Sequence, residues 1–167
     1  SANTNAYAAG QAAARLALQR LTNPHANVAV VFGSSWFDQA RLLEGVRSVF
    51  NSIPVVGGST AGEITPEGPQ SHSCVVLASA YEDLMVSVGI GTAMESNPRL
   101  AGYRAAQQAM RQFKGRTRSG FLLFGDGLLT GYAEVLRGIQ EILGTSSLVT
   151  GGLMGDDLRF TRTHQYA

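Results

Sequence analysis

A single cysteine, Cys74, in 167 residues excludes an internal disulfide, and three histidines, His25, His72 and His164, are too few for a His-rich metal site. No apolar run approaches the roughly 20 residues that cross a bilayer. The alanine-rich opening has neither the basic start nor the hydrophobic block of a secretion signal. Both absences point to a cytoplasmic protein with no membrane role. A net charge of +1 argues against a dedicated nucleic-acid binder. The charge is nonetheless uneven. Residues 51–95 have no Lys or Arg beside five acids (Glu63, Glu67, Glu82, Asp83, Glu95), and residues 96–118 have no acid beside six bases (Arg99, Arg104, Arg111, Lys114, Arg116, Arg118). A solvated helix face and a basic loop account for this, with docking of a partner as the functional alternative.

What is present suffices for one core. At 44% hydrophobic and 15% charged, the chain reads as a single domain over residues 1–167. A helix is expected from a Thr4 cap to Leu21, with Tyr7, Ala14, Leu18 and Leu21 on one face and Pro24 as its stop. Asn27–Phe32 has the length of a buried strand, and Gly33 to Ser35 turns out of it. Ser35 with Asp38 reads as a capping box for a helix that turns Leu42, Leu43, Val46, Val49 and Phe50 inward. Strand Ile53–Val56 then completes a βαβ unit. Ser73–Ala80 and Leu84–Ile90 alternate as the arms of a β-hairpin around Tyr81, Glu82 and Asp83. Asn97 and Pro98 start a helix carrying Leu100, Tyr103, Ala106, Met110 and Phe113 on one face. Gly120–Phe124 is another strand, Gly125 to Gly127 its turn, and Tyr132–Leu143 another amphipathic helix.

The stretch with most chemical promise is GGSTAGE, Gly57 to Glu63. Paired glycines after a β-branched run offer a turn with free backbone N–H groups and little bulk to keep a ligand away. A weaker copy follows Ser147–Thr150 as GGLMGDD, Gly151 to Asp157. Gly10, Ala17, Leu18, Leu21, Phe32 and Gly33 match Gly102, Ala109, Met110, Phe113, Phe124 and Gly125 at a constant offset of 92, and Gly57 and Gly58 match Gly151 and Gly152 at 94. The expected fold is therefore α/β: a layered domain with a largely parallel core sheet flanked by helices, plus a hairpin. It is internally duplicated with a pseudo-twofold, the half-units spanning about 4–92 and 96–167. The second half stops as Phe160 to Tyr166 begins to resemble a strand, which suggests a fragment with an unpaired sheet edge.

In a parallel arrangement the four turns gather at the strand C-termini, where open α/β sheets bind ligands. The candidate ligand-binding residues are Ser34, Ser35, Gly57, Gly58, Ser59, Thr60, Gly62, Glu63, Asp126, Gly151, Gly152 and Asp156, with Asp157 beside them. Hydroxyls and amides suit a carboxylate and the acids suit an ammonium group, so an amino acid or related small polar molecule matches both. Ser35 also serves as a helix cap, and Glu63, Asp156 and Asp157 also serve as turn caps. Catalysis has little support. GGSTAGE lacks the lysine of a phosphate-binding loop, does not match G-x-S-x-G, and has no histidine placed to activate Ser59. A metal-assisted hydrolase built on Glu63, Asp126, Asp156 and Asp157 has no identifying ligand spacing. His72 beside Cys74 reads as strand-edge packing.

The runs VVFGSS (Val30–Ser35), IPVVGGSTAGEI (Ile53–Ile64), LLFGDG (Leu122–Gly127) and GGLMGDD (Gly151–Asp157) resemble the N-terminal region of FIST sensory domains. The resemblance covers the chain from about Asn27 onward, and GGSTAGEI is its most specific part. It implies a cytoplasmic small-ligand sensor rather than an enzyme. The implied partners are a C-terminal FIST region and an output protein such as a histidine kinase, cyclic-dinucleotide enzyme or chemotaxis receptor; F-box modules take that place in eukaryotes. Some members are haem-binding nitric oxide sensors, which here would need His72 or His164 beside an apolar pocket. Position 58 is Gly where many members have Cys, so no thiol acts at that point.

Overall fold

A computed structural model describes residues 5–23, 25–115 and 117–167. The expected Thr4 cap, the Pro24 stop and Arg116 of the basic run lie outside the described residues. The elements run α1 (Ala6–Gln19), β1 (Val28–Ser34), α2 (Gln39–Arg47), β2 (Val55–Thr60), β3 (Glu63–Thr65), β4 (Gly68–Gln70), β5 (Cys74–Ser79), α3 (Pro98–Gln112), β6 (Phe121–Asp126), α4 (Tyr132–Leu143), β7 (Val149–Met154) and β8 (Gln165–Tyr166). The result is a mixed α/β fold.

The sheet is less parallel than its sequence pattern suggests. β1 and β2 run parallel, in register from Ala29 opposite Val55 to Ser34 opposite Thr60. Antiparallel β5 and β8 flank them to give the order β5-β1-β2-β8. β6 and β7 form a separate parallel pair, and β3 and β4 a small hairpin closed by Pro66 and Glu67. Among the described residues, Leu84–Ile90 joins no strand, so the predicted hairpin partner of β5 is absent. Its extended segment lies along α3 instead, where Gly89 and Gly91 abut the carbonyls of Ala105 and Ala101. β5 takes β1 as its partner.

α1 and α2 cover one face of the larger sheet. Ala14, Ala29, Val31, Val46, Phe50, Val55 and Tyr166 form that core, with Leu18, Leu43 and Val49 packed at its margin. Removing a Val- or Leu-sized side chain from water contributes about 1.5–3 kcal/mol, so Val31, Leu42, Val46 and Val55, at most 1% exposed, are the main anchors. On the opposite face of β1, Phe32 meets Phe124 of β6 edge-on with ring centres 5.9 Å apart. α3 and α4 cover the outer side of β6 and β7 around Ala106, Val135, Ile139 and Leu143. α3 turns slightly from its expected face: Ala101, Gly102 and Ala106 are buried, while Leu100 is 37% exposed. The cause is close helix contact, since a Cβ at Gly102 would collide with the Val135 carbonyl and one at Gly138 with the Arg99 carbonyl. α1 and α2 meet in the same manner through Gly10 and Gly45.

The paired glycines are not turns. Gly57 and Gly58 lie within β2, and Gly151 and Gly152 lie within β7. Gly57 and Gly151 have φ of 133° and 145°, and a Cβ at either would collide with the carbonyl of Val31 or Leu123 on the adjacent strand. Glycine is needed there for close strand approach, and the β2 chain turns only at Ala61 and Gly62. Gly33 and Gly125 likewise belong to β1 and β6.

Candidate functional site

The C-terminal ends of β1, β2 and β7 meet at one edge of the molecule, and a closed circuit of hydrogen bonds ties them together. Ser34 Oγ and the Ser35 hydroxyl and N–H donate to one oxygen of Asp157 at 2.9, 2.7 and 2.6 Å. Asp157 N–H in turn donates to the Thr60 carbonyl at 2.9 Å. Thr60 Oγ1 donates to Glu63 Oε1, and Ser73 donates to Glu63 Oε2 from both its N–H and its hydroxyl. Ser34 N–H closes the circuit on the Ser73 carbonyl at 2.9 Å. Four loops are thus fixed to one another, the one carrying Asp157 more than 80 residues from the other three in the chain.

A second node lies below the circuit. Ser59, fully buried, donates its hydroxyl to the Gly155 carbonyl at 2.6 Å and accepts from His164 N–H at 2.8 Å. Ser59 N–H also reaches the His164 carbonyl, and Gly155 N–H reaches the Ser59 carbonyl, each at 2.9 Å. The loop after β7 is then locked onto β2 along both its sides. Gly58 permits this approach, because a Cβ there would strike Met154 and the His164 carbonyl.

Buried carboxylates need donors, and each of these has several. Asp156, 3% exposed, accepts from the main-chain N–H groups of Phe160, Thr161 and Arg162 and from the Thr161 hydroxyl. Burial alone would raise its pKa, but those main-chain donors outweigh it and hold the carboxyl below its usual range. Burial first, and then the nearby Glu63, push the Cys74 thiol up to about 12. His164 titrates below its ordinary value because of partial burial, with Arg162 adding to the effect. No buried side-chain nitrogen or oxygen among the described residues lacks a partner.

Of the residues nominated from sequence, Ser34, Ser35, Ser59, Thr60, Glu63 and Asp156 come together here with Asp157. Gly57 and Gly58 underlie them in β2, and Gly62 is exposed at the turn. Asp126 lies at the end of β6, where it caps its own turn by accepting from Leu128 N–H at 2.9 Å. Gly151 and Gly152 sit mid-strand in β7, exposed and away from the circuit. Ser35 does not cap α2: Asp38 does, accepting from Arg41 N–H, which leaves the Ser35 hydroxyl to Asp157.

Sequence reasoning missed the outer rim. Trp36, 48% exposed, lies with the Arg159 guanidinium over its ring at 5.2 Å and His72 edge-on at 5.3 Å. Leu158 and Phe160 beside them are 72% and 74% exposed. His72, Asp157, Leu158 and Phe160 all hold left-handed backbone, with φ between 53° and 61°. Only the pattern of an exposed aromatic next to the glycine-rich segment could have drawn attention to Trp36.

A cavity of about 400 Å³ lies elsewhere, lined by Arg47, Pro54, Val55, Val86, Val88 and Gln112 among others, and a shallower cleft lies between Arg99, Tyr103 and Glu141. An axial haem ligand needs an imidazole facing an apolar cavity. His72 is exposed against Trp36, and neither it nor His164 lines either of these two cavities, so neither is placed to ligate a haem bound in them. Among the described residues no three of His, Cys, Asp and Glu gather as a metal site, and no helix is long and apolar enough to cross a membrane.

No curated protein and no solved structure gives a significant match to the chain. The model of the FIST N domain family, a sensory type of domain not known as an enzyme family, matches residues 27–167 and takes in every residue of the hydrogen-bonded circuit. The chain belongs to the FIST N domain family.

Proposed function

We propose that the chain is a ligand-sensing domain of intracellular signalling, non-catalytic, which binds a small polar molecule such as an amino acid or organic acid at the strand ends. The observation that carries this reading is the closed circuit through Ser34, Asp157, Thr60, Glu63 and Ser73. A ligand touching any of its four loops acts on all of them, because each loop is fixed by the others. The glycines and hydroxyls nominated from sequence form the frame, and ligand contacts come from groups on its outer side.

The output is a change in docking. β8 closes the free edge of β2 through Gly57 and Gly58, opposite Tyr166 and Gln165. It is joined through His164 to the same loop that carries Asp156 and Asp157, so movement at the site reaches the sheet edge. The receiving partner is a C-terminal FIST region and, beyond it, a kinase, cyclic-dinucleotide enzyme or chemotaxis receptor in the cytoplasm. We read the two βαβ units as an ancestral duplication: the helix-crossing glycines Gly10 and Gly45 reappear as Gly102 and Gly138, and Gly57 reappears as Gly151.

Thermal unfolding against a panel of amino acids and small organic acids tests the reading. A ligand at 100 times its dissociation constant stabilises by about 2.7 kcal/mol. A selective rise in melting temperature, lost in Ser59→Ala combined with Glu63→Ala, is the expected result. A rise retained in that variant places the site elsewhere.

A further inference from the structure

Every buried side-chain nitrogen and oxygen of the described residues already has a partner within the protein. The groups that meet a ligand first are the exposed ones. At this edge those are Trp36, His72 and Arg159, contributed by the β1–α2 loop, the loop before β5 and the loop after β7. Arg159 joins no ion pair among the described residues; the three present are Arg41–Glu44, Arg99–Glu141 and Arg137–Glu134. Its guanidinium rests on the indole at 5.2 Å instead of on a carboxylate.

The backbone around these groups is held in an unfavourable form. Among the described residues, four of the five non-glycine residues with left-handed φ lie in the two loops that meet the Trp36 ring: His72, which is edge-on to it, and Asp157, Leu158 and Phe160, which flank Arg159 in the chain. Such residues persist only where the surroundings over-determine them. Here the Asp156 and Asp157 carboxylates do so, accepting from four and three donors respectively. The loop after β7 is thereby fixed while it presents Leu158, Arg159 and Phe160 to solvent.

We infer that Trp36, Arg159 and His72 form the recognition surface for a planar carboxylate, a small aromatic or heteroaromatic acid. The guanidinium fork matches a carboxylate in two parallel hydrogen bonds, and the exposed half of the indole offers apolar area to the ligand body beside it. His72 stands edge-on to the same ring at 5.3 Å. This assignment rests on the strand-end site proposed above and specifies its ligand class.

Trp36 is the only tryptophan in the chain, so its fluorescence reports this surface directly. The full chain is titrated with phenylacetate, acetate and phenethylamine. Phenylacetate is expected to change the emission saturably, acetate at least about tenfold more weakly, and phenethylamine not at all. Losing a charge-assisted contact of the usual strength weakens binding at least about tenfold, which is the effect expected of Arg159→Gln. Arg15→Gln, exposed on α1 and outside the loops of the site, should leave the titration unchanged. No saturable response to phenylacetate, an equal response to phenethylamine, or undiminished binding in Arg159→Gln overturns the inference. A compound that raises the melting temperature without altering Trp36 emission would overturn it too, while leaving the general sensing role in place.

Discussion

Ser59→Ala isolates the join between β2 and the loop after β7. The wild-type side chain is fully buried, and its one oxygen serves two main-chain groups, the Gly155 carbonyl at 2.6 Å and the His164 N–H at 2.8 Å. Alanine removes the oxygen with little change in volume, so the cost comes from the orphaned partners rather than from a cavity. A buried polar group left without a partner costs about 1–3 kcal/mol, which gives about 2–6 kcal/mol for two. The Gly155 N–H and Ser59 N–H bonds remain and keep the strands in place. Urea unfolding read by circular dichroism measures the loss, with a shifted midpoint and an unchanged slope. Ser119→Ala, at an exposed position, serves as control and should change stability by less than about 0.5 kcal/mol. A loss below about 1 kcal/mol in Ser59→Ala would refute the node, since neither partner could then depend on that oxygen.

Other perturbations follow from the same geometry. Asp157→Asn removes the charge from three hydrogen bonds to Ser34 and Ser35 and should raise hydrogen exchange across residues 155–162 by tenfold or more, from about 1.5–3 kcal/mol per charged contact. Gly57→Ala, at φ 133° and against the Val31 carbonyl, should cost several kcal/mol and appear as loss of soluble folded protein, whereas Gly152→Ala, with open space around it, should be tolerated. Cys74, pushed up to about 12 from 9.0, should react with iodoacetamide at pH 8 about a thousandfold more slowly in the native than in the urea-unfolded chain. Asp156 and His164 both titrate below their ordinary values. In each case the unfolded chain binds protons more readily, so stability is full above the unfolded value and falls as pH drops through the folded one. The His164 contribution should fade first, below about pH 6.5, and that of Asp156 below about pH 4, seen as successive drops in melting temperature.

Much of the fold can be read from local pattern, because local chemistry decides it. Asn97 caps α3 through Leu100 N–H with Pro98 behind it, and Tyr132–Leu143 is helical over the span its periodicity predicts. The paired glycines mislead because glycine marks both a turn and a close strand approach, and one chain read alone does not separate the two. Leu84–Ile90 alternates as a strand yet finds no partner among the described residues, since pairing is decided by what β1 accepts. For the site, the residue types of the circuit were visible around GGSTAGE. Their partners were not, since Ser35 meets Asp157 from 122 positions away and Ser59 meets Gly155 from 96. The Trp36, His72 and Arg159 cluster depends on two such distant approaches at once and leaves no linear trace.

Hydrogen exchange on the full chain, with and without each compound that raises its melting temperature, tests most directly whether the strand ends are the sensing site. Protection should increase together at residues 34–37, 59–63, 71–73 and 155–162, because the hydrogen-bonded circuit makes those loops respond as one. Protection confined to the cavity lined by Pro54, Val86, Val88 and Gln112, with the four loops unchanged, would contradict the account.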